Sequence, residues 1–149
     1  MSPLIILLLM AFAAPLMTPA VQSAPVVLRG HIICLEAAGK RAGASSTCDG
    51  PGARFALSGS DGKLHAFSAD DAATAMFTDA RVRRRELQIT AQMAAHDQLE
   101  IVLVQSIREG KLYDIYYFCE LCNIRAYAPG LCPCCRNEME LRETPATDQ

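Results

Sequence analysis

The sequence has no excess of basic side chains, no apolar run long enough to span a bilayer, and no residues in the pattern of an active site. Lys and Arg number 14 against 16 Asp and Glu, a formal net charge of −2, which argues against a strongly basic nucleic-acid binder. Residues 1–17 carry no charged side chain, but the apolar stretch at 4–12 is soon followed by Pro15 and Pro19. A membrane-spanning helix needs about 20 apolar residues. There is no Ser/His/Asp set, no paired-carboxylate site and no Gly-rich phosphate loop in an ordered context, and His65 and His96 stand alone. An enzyme is therefore not expected.

What the N-terminus does contain fits a secretory signal: an apolar segment followed by small residues suited to cleavage. Residues 1–24 are expected to be a signal peptide, cut after Ala20 or Ser23, although only the α-amino group supplies positive charge. Cys34 lies too far on for a lipoprotein signal. The expected product is periplasmic or secreted, with no stable membrane anchor after cleavage. The remainder is long enough for one hydrophobic core.

The pattern that follows is mostly strand. Residues 26–35 form a β-rich run, and 37–52, rich in Gly, Ala and Ser, read as a loop. Residues 54–57 and 63–67 flank a Ser-Gly-Ser-Asp-Gly turn, of which Asp61-Gly62 is the strongest hairpin signal. Ser68, with Asp71 three residues on, has the chemistry of a helix start, predicting a short helix over 72–77. Strands are expected at 82–90, 99–107 and 112–118, the last two joined by a Glu109-Gly110 turn, and a short one at 139–141. Five strands with one helix between the third and fourth is the order of an OB-type barrel. Residues 25–110 are thus expected to be an OB-like β domain, with an open β-sandwich as the alternative. A metal-binding lobe is expected at 111–143 and a flexible tail at 144–149.

Seven cysteines carry the chemistry. Cys119 and Cys122 form one C-x₂-C pair, and Cys132 and Cys135 a second, with nine residues between the pairs. Two such pairs are what a four-coordinate zinc site needs: each tight knuckle turns two sulfurs to one side, and a hairpin brings the knuckles together. Pro129-Gly130 turns the chain before the second knuckle. The expected site is therefore Cys119, Cys122, Cys132 and Cys135 around zinc, in a zinc-ribbon-like lobe; an all-thiolate set would also hold Cu(I). Cys134, between the ligands of the second knuckle, is an alternate ligand, a free thiol or a tolerated small residue. The competing reading pairs the same four cysteines as two short disulfides. Cys34 and Cys48 are either a disulfide, closing a loop of about 15 residues worth about 3 kcal/mol, or two idle thiols. His31 and Cys34, three apart on a strand, fall on opposite faces and make a poor second metal site.

These residues also carry a resemblance. Tyr117-x-Cys119-x-x-Cys122, then Pro129-Gly130-Leu-Cys132-Pro-x-Cys135, then Met139-x-Leu141, resembles the heavy-metal-binding domain of copper-transport ATPases and metal-efflux adaptor proteins. Cys119, Cys132 and Cys135 match that family's cysteines and Met139 its methionine. Cys122 stands where the family has histidine, the interval before Pro129 is one residue shorter, and two extra residues precede Met139. The likeness spans about 25 residues of 149 and implies soft-metal handling. Separately, 26–107 resembles, in strand order and spacing, the small OB-type domains of exported bacterial proteins.

The basic run Arg81, Arg83, Arg84 and Arg85 reads as a solvated strand face, and the tyrosines at 113, 116 and 117 as sheet and core residues. Three functions remain open. The first is an exported non-enzymatic protein with structural zinc and a β domain that binds an unknown protein partner. The second is a periplasmic copper or zinc trafficking or resistance accessory. The third is a thiol–disulfide oxidoreductase, for which no βαβ context is visible; the Asn123 after Cys122 also excludes c-type haem attachment.

Overall fold

The computed structural model of the protein describes residues 24–35, 48, 54–68, 71–94 and 98–147. The expected signal peptide and His96 lie outside the described residues, except for Ala24. Among the described residues no helix is long and apolar enough to cross a membrane.

The chain is mainly β, as the sequence predicts. Strands β1 (Val26–Leu35), β2 (Arg54–Gly59) and β3 (Leu64–Ala66) are followed by a 3-10 helix (Ala72–Thr78) and a single turn of α-helix, α1 (Ala80–Arg83). Then come β4 (Leu87–Met93), β5 (Leu99–Arg108), β6 (Lys111–Cys119), β7 (Ile124–Ala126) and β8 (Glu140–Pro145). All belong to one sheet in the order β3-β2-β1-β4-β5-β6-β7, with β8 on β6, and every ladder is antiparallel.

β1 serves two neighbours in succession. Val26–Gly30 pairs with β4, and Gly30–Leu35 with β2. Gly30 sits where the two ladders meet, and a Cβ there would collide with the carbonyl oxygen of Ser58. The close approach of two backbones is what selects glycine. At the far side, Phe67 makes one parallel bridge to Leu99, and the Ser68 N–H donates to the Leu99 carbonyl at 3.0 Å. Among the described residues that single bridge is the whole seam, and the expected barrel is not closed. β3 has only three residues before the chain turns into the 3-10 helix, too few to zip a second ladder.

The helical segment departs from expectation at both ends. Its cap is Asp71, not Ser68: one carboxylate oxygen accepts the Ala73 N–H at 2.9 Å, and the other the Ile101 N–H of β5 at 2.7 Å. Residues 82 and 83, expected to open a long strand, fall in α1 instead, because Asp79 caps that turn by accepting the Arg81 N–H at 2.8 Å. The arginine run is therefore not an alternating strand face. The Arg81 guanidinium pairs with Asp79, that of Arg83 donates to the carbonyls of Phe77 and Thr78, and that of Arg85 to Glu143.

The core lies between the sheet and this helical segment. Phe77 is fully buried against Phe55 and Phe67, with ring centroids 5.8 and 5.6 Å away, and Leu57, Val82, Leu87 and Ile89 complete the floor. The same cluster runs without a break into Ile115, Tyr117, Cys119, Cys132 and Met139. β8 is longer than expected, so Thr144 and Pro145, assigned to the tail, pair with Asp114 and Tyr113.

Candidate metal centre

β6 delivers the first knuckle. Tyr117, two residues before Cys119 and so on the same face, is fully buried, and its hydroxyl donates to Asp79 at 2.9 Å. That anchor fixes the end of the strand. The chain reverses over residues 120–123 and returns as β7, placing Cys119 opposite Ile124. The second knuckle follows Gly130, whose φ of 135° suits glycine alone. The Cys132 N–H donates to the Asn137 carbonyl at 2.8 Å, the Arg136 N–H to the Cys132 carbonyl at 3.0 Å, and the Met139 N–H to the Gly130 carbonyl at 3.1 Å. Both knuckles share one device: the residue after the second cysteine turns through the left-handed region, Asn123 at φ 54° and Arg136 at φ 64°. Asn tolerates that conformation; Arg adopts it less readily.

The result is a cluster of four sulfurs. Sγ of Cys119, Cys122, Cys132 and Cys135 all lie within 4.8 Å of one another. Cys119 and Cys132 are buried, Cys122 and Cys135 half-buried. A zinc ion bound at about 2.3 Å by four thiolates sets sulfur–sulfur edges of about 3.8 Å, and the Cys119–Cys135 contact is 3.5 Å. A disulfide would need about 2.05 Å, and all four are free thiols. The donor set and its spacing fit a tetrahedral soft or borderline cation.

The electrostatics favour a thiolate at one corner. Backbone N–H groups of Cys135 and Cys134 point at the Cys132 sulfur and bring its pKa down to about 7, against an opposing push from burial. Cys122 goes the other way, held up by its sulfur contacts with Cys134 and Cys135 and by burial. At Cys119 the Cys122 N–H pulls down, but burial and the neighbouring sulfurs of Cys135 and Cys132 outweigh it, and the thiol is raised. Crowded thiols without a cation resist losing more than one proton, and a divalent ion removes that resistance.

Cys134 is exposed and outside the four-sulfur cluster, although it touches Cys122. Cys34 and Cys48 are joined as a disulfide, with Cα atoms 5.9 Å apart. That occupies Cys34, so a His31–Cys34 metal site has no free thiol. Met139 is buried at the base of the hairpin. No protein-family model, no curated protein and no solved structure matches the chain.

Proposed function

We propose that this is an exported, non-enzymatic metal-binding protein in which Cys119, Cys122, Cys132 and Cys135 hold one zinc ion that braces the hairpin. The sheet beside it offers a surface to a protein partner. The observation that carries the metal reading is the convergence of four free cysteine sulfurs, from two knuckles, within 4.8 Å. Four thiolates at tetrahedral spacing are the donor set of a structural zinc site, closed to substrate. Export rests on the apolar N-terminus alone.

The test is the metal content of protein purified without added metal, together with a count of reactive thiols before and after chelation. One zinc per chain, with four thiols that react only after chelator, is the expected result. Copper in its place would transfer the reading to metal trafficking, which the Pro-Gly-Leu-Cys-Pro-Cys-Cys resemblance supports. No metal, with the four thiols freely reactive or oxidised, would sink the proposal.

A further inference from the structure

Among the described residues, the sheet contains a gap. β8 pairs with residues 113–118 of β6, so every other partner of that stretch lies on the opposite edge. β5 takes that edge at 111–114 and β7 takes it at 117–119. β5 leaves β6 at Gln105. Between Gln105 and the Leu99 bridge to Phe67, residues 101–104 have no strand partner, among the described residues, on the side turned away from β4. The outer edge of β7 is also unpaired among the described residues.

Among the described residues, a cavity borders these edges on each face of the sheet. On one face it is an apolar cavity of about 510 Å³, walled by Ile101, Val102, Ala126 and Tyr127 and floored by Ala73 and Met76. On the other it is a polar cavity of about 430 Å³, walled by Gln105, Asp114 and Arg125. Leu103, Val104 and Tyr127 border both. Val102 is 57% exposed, Leu103 42% and Tyr127 63%, a concentration of apolar surface on two strand edges. The protein already answers one amide of this edge with a side chain, the Ile101 N–H given to Asp71.

We propose that the gap is a strand-addition site, where an extended segment of a partner protein inserts between β5 and β7. The segment alternates apolar side chains, toward Met76, with uncharged polar ones, toward Gln105. Two walls made of unpaired backbone edges call for a strand rather than an acyl chain, because only a peptide returns their hydrogen bonds. Side chains of a strand alternate between faces, which matches a cavity apolar on one side and polar on the other. Asp114 and Arg125 share the polar face, so no net charge is demanded of the occupant. Four residues of edge correspond to about 13 Å of strand. The inference rests on the partner-binding part of the proposed function and makes that part specific; it does not depend on the metal.

The experiment is a fluorescence-anisotropy titration of the full protein with a labelled, end-blocked octapeptide alternating valine and threonine, paired with the same peptide N-methylated at every second residue. Saturable binding is expected, weakened at least about tenfold by N-methylation, since the methyl groups delete the inserted strand's donors. Leu103→Lys should weaken binding by about tenfold or more through lost apolar burial. Amide exchange at residues 102–104 and 126–128 should slow when the peptide is added. Absence of saturable binding overturns the proposal, and so does equal binding of the N-methylated peptide or slowed exchange confined to other strands. Should Leu103→Lys fail to fold, the two peptides on the unmodified protein decide the matter. Zinc content is measured on the same samples. Zinc-free protein that binds the peptide sinks the metal reading alone, and zinc-loaded protein that does not bind sinks this inference alone.

Discussion

The body of the sheet, β1 to β5 with its helical segment, and the cysteine hairpin at 119–139 stand at opposite extremes of how a small β structure is held together. In the body, Phe55, Leu57, Phe67, Met76, Phe77, Val82, Leu87 and Ile89 are buried in a continuous cluster, and the Cys34–Cys48 disulfide closes its loop. In the hairpin, the buried side chains are Cys119, Cys132 and Met139, while Leu121, Tyr127 and Leu131 are exposed. One region removes apolar area from water, the general driving force of folding. The other has too few apolar side chains for that and converges four sulfurs instead. Small units that cannot build a core turn to metals or disulfides; here the body carries a core with a disulfide, and the hairpin a cysteine cluster that could hold a metal.

The largest expected effect tests whether the two regions are separable. Apparent zinc-binding free energies in zinc-finger peptides are about 10–16 kcal/mol, so on the proposed reading chelation, or Cys132→Ser, should melt the hairpin while the body persists. Hydrogen exchange should then become fast at residues 120–138 and stay slow in β1 and β4. Slow exchange throughout the hairpin of the metal-free protein would break the comparison. The reverse experiment is Cys34→Ser with Cys48→Ser. Opening a loop of 14 residues' separation should cost the body about 3 kcal/mol and leave metal content unchanged, as read by denaturant unfolding and metal analysis.

A third effect lies on the joint between the regions. Glu143 of β8 accepts from Arg85 at 2.7 Å and from the Ser106 hydroxyl at 2.5 Å, with Arg108 at 3.5 Å. Burial pushes its carboxyl up, but the Arg85 and Ser106 hydrogen bonds and the two arginine charges outweigh that, and its pKa falls below the ordinary 4.5. A carboxylate depressed in the folded state contributes stability above about pH 4.5 that is lost as pH drops through its folded pKa. Glu143→Gln should therefore cost about 1–3 kcal/mol at neutral pH and flatten the fall in stability below about pH 4.5. An unchanged acid slope would remove Glu143 from the account.

The smallest effect sharpens the hairpin itself. Arg136 sits at φ 64°, a conformation costing a side-chain-bearing residue roughly 1–2 kcal/mol that glycine escapes. Arg136→Gly should raise stability by about 1 kcal/mol at unchanged metal content. A loss in calorimetry would mean that Arg136 makes a compensating contact.

Much of the site was legible because its signal is local. C-x₂-C spacing, a Pro-Gly turn and a flanking strand are all read within 25 residues, and a knuckle two residues wide leaves its sulfurs few directions to point. The mainly-β pattern and the Asp61-Gly62 hairpin were legible for the same reason, and Gly62 does take φ 77°. Val82 and Arg83 misled because Arg and Val permit either helix or strand, and the choice fell to Asp79, which caps α1 while accepting from Tyr117 of a distant strand. Spacing already set Cys134 apart from the four knuckle cysteines; whether it was an alternate ligand, a free thiol or a tolerated small residue depended on which way the turn points it, and it stands exposed outside the cluster.

By itself the sequence determined what short-range chemistry can determine: strands where apolar residues alternate, turns where Asp-Gly and Pro-Gly stand, and two sulfur pairs at knuckle spacing. The tertiary structure decided what depends on distant partners. It left the barrel unclosed because β3 ends after three residues. It ran the core of the body into the base of the hairpin, and it parted β5 from β7 along one edge of β6. Those outcomes turn on backbone edges and twist, which no side-chain pattern encodes until the strands are in place.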